Sequence, residues 1–239
     1  MVSQYQPPSP IAQRVVITGA AGTLGAAVAR AFLTAGANVA LIDRAAASQD
    51  PIKDTGDSHV FLEGVDLTDP TAARRAMDAA ASKLGGIDVL VNIAGGFRWE
   101  TIADGSLETW DFLYSINLKT ALCACKAALA HLPADGGRII NVGAAAATKA
   151  GAGMGAYAAS KAGVAKLTEA LAEELKDKGI NVNAVLPSII DTPANRADMP
   201  KADFTRWVEP QALADVIMFL SSRAARAITG ASISVSGRV

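Results

Sequence analysis

Apolar positions cluster in short runs along the chain: Arg14–Thr18, Asn38–Ile42, Val60–Gly64, Val89–Asn92, Arg138–Val142, Asn181–Val185 and Ser232–Val235. Most of these runs are rich in β-branched residues and apolar at successive positions rather than at alternate ones. That is the pattern of strands covered on both faces. Between the runs lie Ala-rich stretches with polar residues at helical intervals: Gly25–Ala35, Thr71–Lys83, Leu107–His131, Ala156–Lys178 and Pro210–Leu220. Strands alternating with helices of this length predict βαβ units and a doubly wound parallel sheet of the α/β class. No repeat at solenoid spacing and no linker interrupts the alternation. The sequence therefore predicts a single domain over residues 13–239. The polar, Pro-rich start MVSQYQPPSP predicts a mobile N-terminal extension over residues 1–12, with no apolar core of a signal peptide.

Composition narrows the classes of function. The chain has 239 residues, 22 basic against 23 acidic, and a formal net charge of -1. That balance gives no general attraction to nucleic acid or to an anionic membrane surface. No stretch is long and clean enough to cross a bilayer. The expected setting is the cytoplasm and the expected partner a small-molecule substrate. Cys123 and Cys125 are two apart on a predicted helix, pointing in different directions, and read as buried thiols. The only histidines, His59 and His131, are not at ligand spacing from them, so no metal site is expected.

The first strand runs into Thr18-Gly19-Ala20-Ala21-Gly22-Thr23-Leu24-Gly25, and a helix follows. Glycine supplies positive φ for a tight turn and lets the backbone approach a pyrophosphate, at which the next helix aims its N-terminus. The strand–turn–helix setting makes this a dinucleotide loop of the Rossmann type rather than a chance glycine cluster. No Lys-Ser/Thr pair follows, which argues against a Walker-type loop. The second strand ends at Asp43-Arg44. An acid there accepts from ribose hydroxyls and repels a 2'-phosphate, favouring NAD(H). Arg44 keeps NADP(H) possible, since a guanidinium can hold that phosphate.

Tyr157 and Lys161 are four apart on a predicted helix and so project to one side. A nearby ammonium stabilises phenolate, and the expectation is a phenol pulled below its ordinary value near pH 10. Such a pair suits general acid–base catalysis. Taken alone, Tyr-x-x-x-Lys is common on helix surfaces.

With the other motifs, the chain resembles the short-chain dehydrogenase/reductase superfamily over nearly its whole length. The matching pieces are TGAAGTLG, Asp66 in VDLTD, Asn92-Ile93-Ala94-Gly95, Asn117 in SINLKT, Tyr157/Lys161, and Pro187 to Thr192. The resemblance implies that Asp66 and Leu67 flank the adenine. It places Asn92, Ala94 and Gly95 along the cofactor channel and Pro187, Ile189 and Thr192 at the nicotinamide end. It implies that Lys161 holds the nicotinamide ribose and that Asn117 orders a water-linked proton relay. It also implies a homodimer or homotetramer. The small-residue stripe Ala156, Ser160, Gly163, Val164 and Leu167 fits either a subunit interface or packing within the fold.

Two positions depart from the family pattern. Thr23 replaces a usual glycine, which a backbone N–H tolerates. The position of the family's catalytic serine, thirteen before the tyrosine, is Ala144. A methyl group donates no hydrogen bond, and the nearest hydroxyl is Thr148. Dihydropteridine reductase, in the same superfamily, also pairs Tyr and Lys with Ala there. The segment Leu186-Pro187, Asp191 to Arg196, Met199-Pro200 and Ala202 to Trp207 resembles that enzyme too. Three functions follow: hydride transfer to a quinonoid dihydropterin or another conjugated or imine-like ring; ordinary ketone or secondary-alcohol chemistry without the serine; or dinucleotide sensing with little turnover. Phe97, Trp99, Met199 and Trp207, with Ala144, are the expected substrate-pocket residues, and Arg98 and Arg196 are candidate anion binders.

Overall fold

A computed structural model describes residues 13–46, 49–52 and 59–239. The extension predicted over residues 1–12 lies outside them. Seven strands form one parallel sheet in the order β3-β2-β1-β4-β5-β6-β7. They are β1 (Arg14–Thr18), β2 (Asn38–Ile42), β3 (His59–Leu62), β4 (Val89–Asn92), β5 (Arg138–Val142), β6 (Asn181–Pro187) and β7 (Ser232–Val235). The helices are α1 (Thr23–Thr34), α2 (Pro70–Leu84), α3 (Leu107–Leu113), α4 (Thr120–Ala128), α5 (Gly155–Leu175), α6 (Pro193–Asp198) and α7 (Pro210–Ser221).

Successive residues of β1 point to opposite faces. Val15 and Ile17 join α1 and α7 through Val28, Phe32, Leu213 and Ile217. Val16 joins α2 and α4 through Met77, Ala80 and Ala124 on the other face. This double cover explains why the strands read as continuous apolar runs. The order reverses between β1 and β4, so the connections leaving their carboxyl ends diverge and open a crevice there. Local signals set the helix ends. Asp69 caps α2 by accepting from the Thr71 N–H at 2.8 Å, Pro70 fits its first turn, and Gly85 ends it at φ 78°.

The structure redraws three predicted segments. The helix expected over Leu107–His131 is α3 and α4 joined by a π-helical turn, Tyr114–Lys119, and it ends at Ala128. The Thr120 hydroxyl, at the start of α4, donates back to the Ile116 carbonyl of that turn at 2.7 Å. The third strand starts at His59 and stops at Leu62. The segment after β6, for which the pattern predicts no element, forms α6 and a 3₁₀ turn at Phe204–Arg206.

In the small-residue stripe, Ser160 and Val164 are buried within the chain. A Cβ on Gly163 would meet Leu118 at 2.5 Å. Those positions therefore serve packing within the fold. Both cysteines are buried and free. Among the described residues no helix is long and apolar enough to cross a membrane, and no three His, Cys, Asp or Glu side chains group as metal ligands.

Candidate active site

The crevice is a cleft of about 1560 Å³ running from the glycine loop to α6. At one end the β1–α1 turn fits a dinucleotide. Gly19 has φ 68°, and a Cβ there would lie 2.6 Å from the Ala94 backbone nitrogen. Thr18 Oγ1 lies against the same turn, accepting from the N–H groups of Ile93 and Ala94 at 3.2 and 3.3 Å. No side chain caps α1 and no acid occupies its first turn. Thr23, Leu24 and Gly25 line the cleft there. An uncapped helix start facing a cleft is an anion site.

Asp43 also lines the cleft. Its Oδ2 accepts from Ala21 N–H and its Oδ1 from Ala45 N–H, each at 2.9 Å. A carboxylate offers about four acceptor directions, so Asp43 ties down the glycine loop and retains capacity for ribose hydroxyls. Arg44 and Asp66 line the same end, with Leu67 beneath. The Thr68 hydroxyl and N–H hold the Asp66 carboxyl below its usual range, with a smaller pull from Arg44. Ala94, Gly95, Pro187, Ile189 and Thr192 line the cleft further along.

Asn92 departs from the expected placement. Its side chain is buried under the cleft floor, donating to Asn141 Oδ1 at 2.9 Å and to Cys125 Sγ at 3.2 Å. A buried amide among strands must satisfy its hydrogen bonds there. Asn92 and Thr18 therefore shape the cleft from behind rather than form its surface.

Tyr157 and Lys161 stand on the first turns of α5, and both line the cleft. Lys161 is 5% exposed, and its Nζ donates to the Val142 carbonyl at 2.9 Å and lies 6.0 Å from the centre of the Tyr157 ring. Phe97 meets that ring edge-on at 4.9 Å. Burial lowers the Lys161 ammonium to about 8 and pushes the Tyr157 phenol up to about 12. The direction at Tyr157 is opposite to the expectation from sequence. The same burial disfavours phenolate and ammonium alike, so desolvation outweighs the pull of the neighbouring cation.

Asn117 lies in the π turn beside this pair. Its Oδ1 accepts from Gly96 N–H at 2.9 Å, and its Nδ2 donates to the Gly96 carbonyl and to Ser160 Oγ, both at 3.0 Å. Ser160 in turn donates to the Tyr157 carbonyl at 2.7 Å. A continuous polar chain thus joins the turn after β4 to the tyrosine. Ser160 and Gly96 were not among the expected site residues; Ser160 lies one position before Lys161.

At the far end Ala144 is 5% exposed and lines the cleft, presenting a methyl group to it. The Thr148 hydroxyl donates to the Ala145 carbonyl at 2.8 Å, so it does not replace the missing donor. Phe97, Trp99 and Met199 line this end, as do Phe112, Ile116 and Met154, which the motifs did not single out. Phe112 and Ile116 are four apart on one helix face, a signal available in the sequence. Trp207 is corrected: it is 6% exposed, lies outside the cleft lining and packs on Phe204 at 4.8 Å. A large apolar ring in the segment after β6 finds burial beneath it rather than at the mouth. Arg196 is held by both oxygens of Asp191, at 2.6 and 2.7 Å, and Arg98 lies 4.0 Å from the centre of the Phe112 ring.

The sequence profile of the short chain dehydrogenase family matches residues 13–203. D-threitol dehydrogenase of Mycolicibacterium smegmatis is 35% identical over 237 residues, covering 93% of this chain and 90% of that one. Cis-4-hydroxycyclohexanecarboxylate dehydrogenase of Sinomonas cyclohexanicum is 36% identical over 241 residues, covering 95% and 96%. Among solved structures, a blue fluorescent protein from a metagenomic library in complex with NADPH superposes with a TM-score of 0.86 at 32% identity, covering 95% of this chain and 97% of that one.

Proposed function

Since the chain belongs to the short-chain dehydrogenase family, we propose that it transfers hydride between a nicotinamide dinucleotide, preferentially NAD(H), and a flat conjugated or imine-like ring of the quinonoid dihydropterin class, with Tyr157 as proton donor. The observation that carries the choice of substrate is Ala144. The reacting end of the cleft offers the Tyr157 hydroxyl and a buried methyl, and Thr148 donates elsewhere. A simple carbonyl gains from a second donor as charge develops on its oxygen. A conjugated ring spreads that charge over several atoms and needs the donor less. Exposed faces of Phe97 and Trp99 at the cleft suit a flat ring by stacking.

The uncapped start of α1, the close Gly19 turn and Asp43 support dinucleotide binding, and Asp43 supports NAD(H) over NADP(H). When bound, the dinucleotide supplies or accepts the hydride. The chain's residues manage the proton. Tyr157 gives its phenol proton to the heteroatom that gains the electron pair, and Lys161 stabilises the phenolate left behind. Asn117 holds Gly96 and, through Ser160, the Tyr157 backbone, which keeps the phenol in place. Asn117 also stands in a π-helical turn, a feature common at functional sites, which supports a relay role for it.

A second reading, ketone and secondary-alcohol chemistry, is favoured by the named activities of the two dehydrogenase relatives. Oxidation of NADH, followed with quinonoid dihydropterin beside a cyclic imine, a cyclic ketone and a β-ketoacyl thioester, separates the two. The first reading predicts preferred turnover of the conjugated and imine substrates. Turnover confined to the ketone or thioester sinks it in favour of the second, and turnover of none sinks both.

A further inference from the structure

We propose that Lys149 anchors a carboxylate carried by a substituent of the conjugated substrate ring, remote from the reacting carbon. This rests on the reading of the cleft as a hydride-transfer site and deepens it.

Three observations converge on this residue. The first is the accounting of donors at the substrate end. Trp99 Nε1 donates to the Ala152 carbonyl at 3.0 Å, Thr148 to Ala145 at 2.8 Å and Asn195 Nδ2 to Ile190 at 2.7 Å. Lys149 is exposed, lines the cleft, and forms no hydrogen bond or ion pair among the described residues.

The second is charge. The two arginines on neighbouring segments are committed, Arg196 to Asp191 and Arg98 to the face of Phe112. Lys149 is thus a cation without an ion pair among the described residues, in a cleft also lined by Phe97, Trp99, Met154 and Met199. Asp198 on α6 also lines the cleft and steers an anion toward Lys149 by repulsion.

The third is Ala144. With a methyl in place of a donor, one fixed contact at the reacting end is gone. Orientation must come from a remote part of the substrate, whose binding energy then holds the reacting carbon in place.

Benzoate and benzamide are flat probes that differ in charge and undergo no reaction. Their affinities for the NAD-loaded protein are measured by titration calorimetry. An ion pair to an exposed ammonium predicts that benzoate binds about threefold more tightly than benzamide. Lys149→Gln removes that preference, Lys149→Arg retains it, and Asp198→Asn tightens benzoate. Equal affinities, binding of neither probe, or a preference that survives Lys149→Gln would overturn the proposal. None of these outcomes depends on turnover, so failure here is distinct from failure of the hydride-transfer reading.

Discussion

Lys161→Met is expected to stabilise the protein while abolishing its turnover. Lys161 is 5% exposed, and its Nζ donates to the Val142 carbonyl at 2.9 Å. Burial lowers it from 10.5 to about 8. Each unit is about 1.4 kcal/mol, so keeping this ammonium charged in the fold costs about 3 kcal/mol at neutral pH. Methionine fills similar space without charge. The Val142 carbonyl loses its donor, an offset of about 1 kcal/mol. The net gain near pH 7 is about 2 kcal/mol, which raises Tm by roughly 4–8 °C in a chain of this size. The folded value lies below the unfolded one. Between about 8 and 10.5 the unfolded chain binds a proton that the folded chain has released. The lysine's contribution to stability therefore rises with pH across that window, whereas below it the full penalty applies. Tyr157 acts oppositely above its ordinary value of 10, because burial pushes it up to about 12. Burial also raises the Cys123 and Cys125 thiols, which opposes the lysine toward about pH 9.5. The difference in melting temperature between the unaltered protein and the variant, measured by calorimetry without added dinucleotide between about pH 7 and pH 9.5, therefore isolates the lysine. The melting temperature of the unaltered protein is expected to climb toward that of the variant as pH rises. A gap that stays constant across this range, or a variant that melts lower near pH 7, would refute the reasoning.

Gly19→Ala places a Cβ 2.6 Å from the Ala94 nitrogen at φ 68°. The left-handed backbone alone costs roughly 1–2 kcal/mol, so both Tm and NADH affinity fall; unchanged values for both would refute the close-turn account. Ala144→Ser supplies the absent donor and is expected to raise kcat/KM for a cyclic ketone by roughly 10²-fold, with little effect on a quinonoid ring. Equal gains on both substrates contradict the proposed role of Ala144. Asp43→Ser removes the charge that repels a 2'-phosphate. It is expected to raise the NADPH-to-NADH ratio of kcat/KM by about tenfold, read from initial rates; an unmoved ratio removes Asp43 from cofactor choice.

The sheet was legible because its central strands are covered on both faces, and continuous apolar runs such as Val89–Asn92 mark that burial directly. The glycine loop and the Tyr157/Lys161 pair were legible for a similar reason: local spacing fixes their geometry. What sequence left unread depends on contacts distant along the chain. The π turn at Tyr114–Lys119 interrupts a helix whose pattern reads as unbroken. Asn92 lies beneath the cleft because Asn141 and Cys125 satisfy its amide there. Trp207 faces inward because Phe204 and the segment after β6 cover it. The direction of the Tyr157 shift follows from burial, which spacing along a helix does not encode.

The central claim is that Tyr157 delivers the proton in a hydride transfer. Tyr157→Phe keeps the ring against Phe97 and removes the hydroxyl alone. The decisive measurement is single-turnover NADH oxidation by this variant with its best substrate, beside a fluorescence titration of NADH affinity. The account predicts a fall in rate of about 10²–10⁴ with NADH affinity nearly unaltered. A rate close to that of the unaltered protein would contradict it.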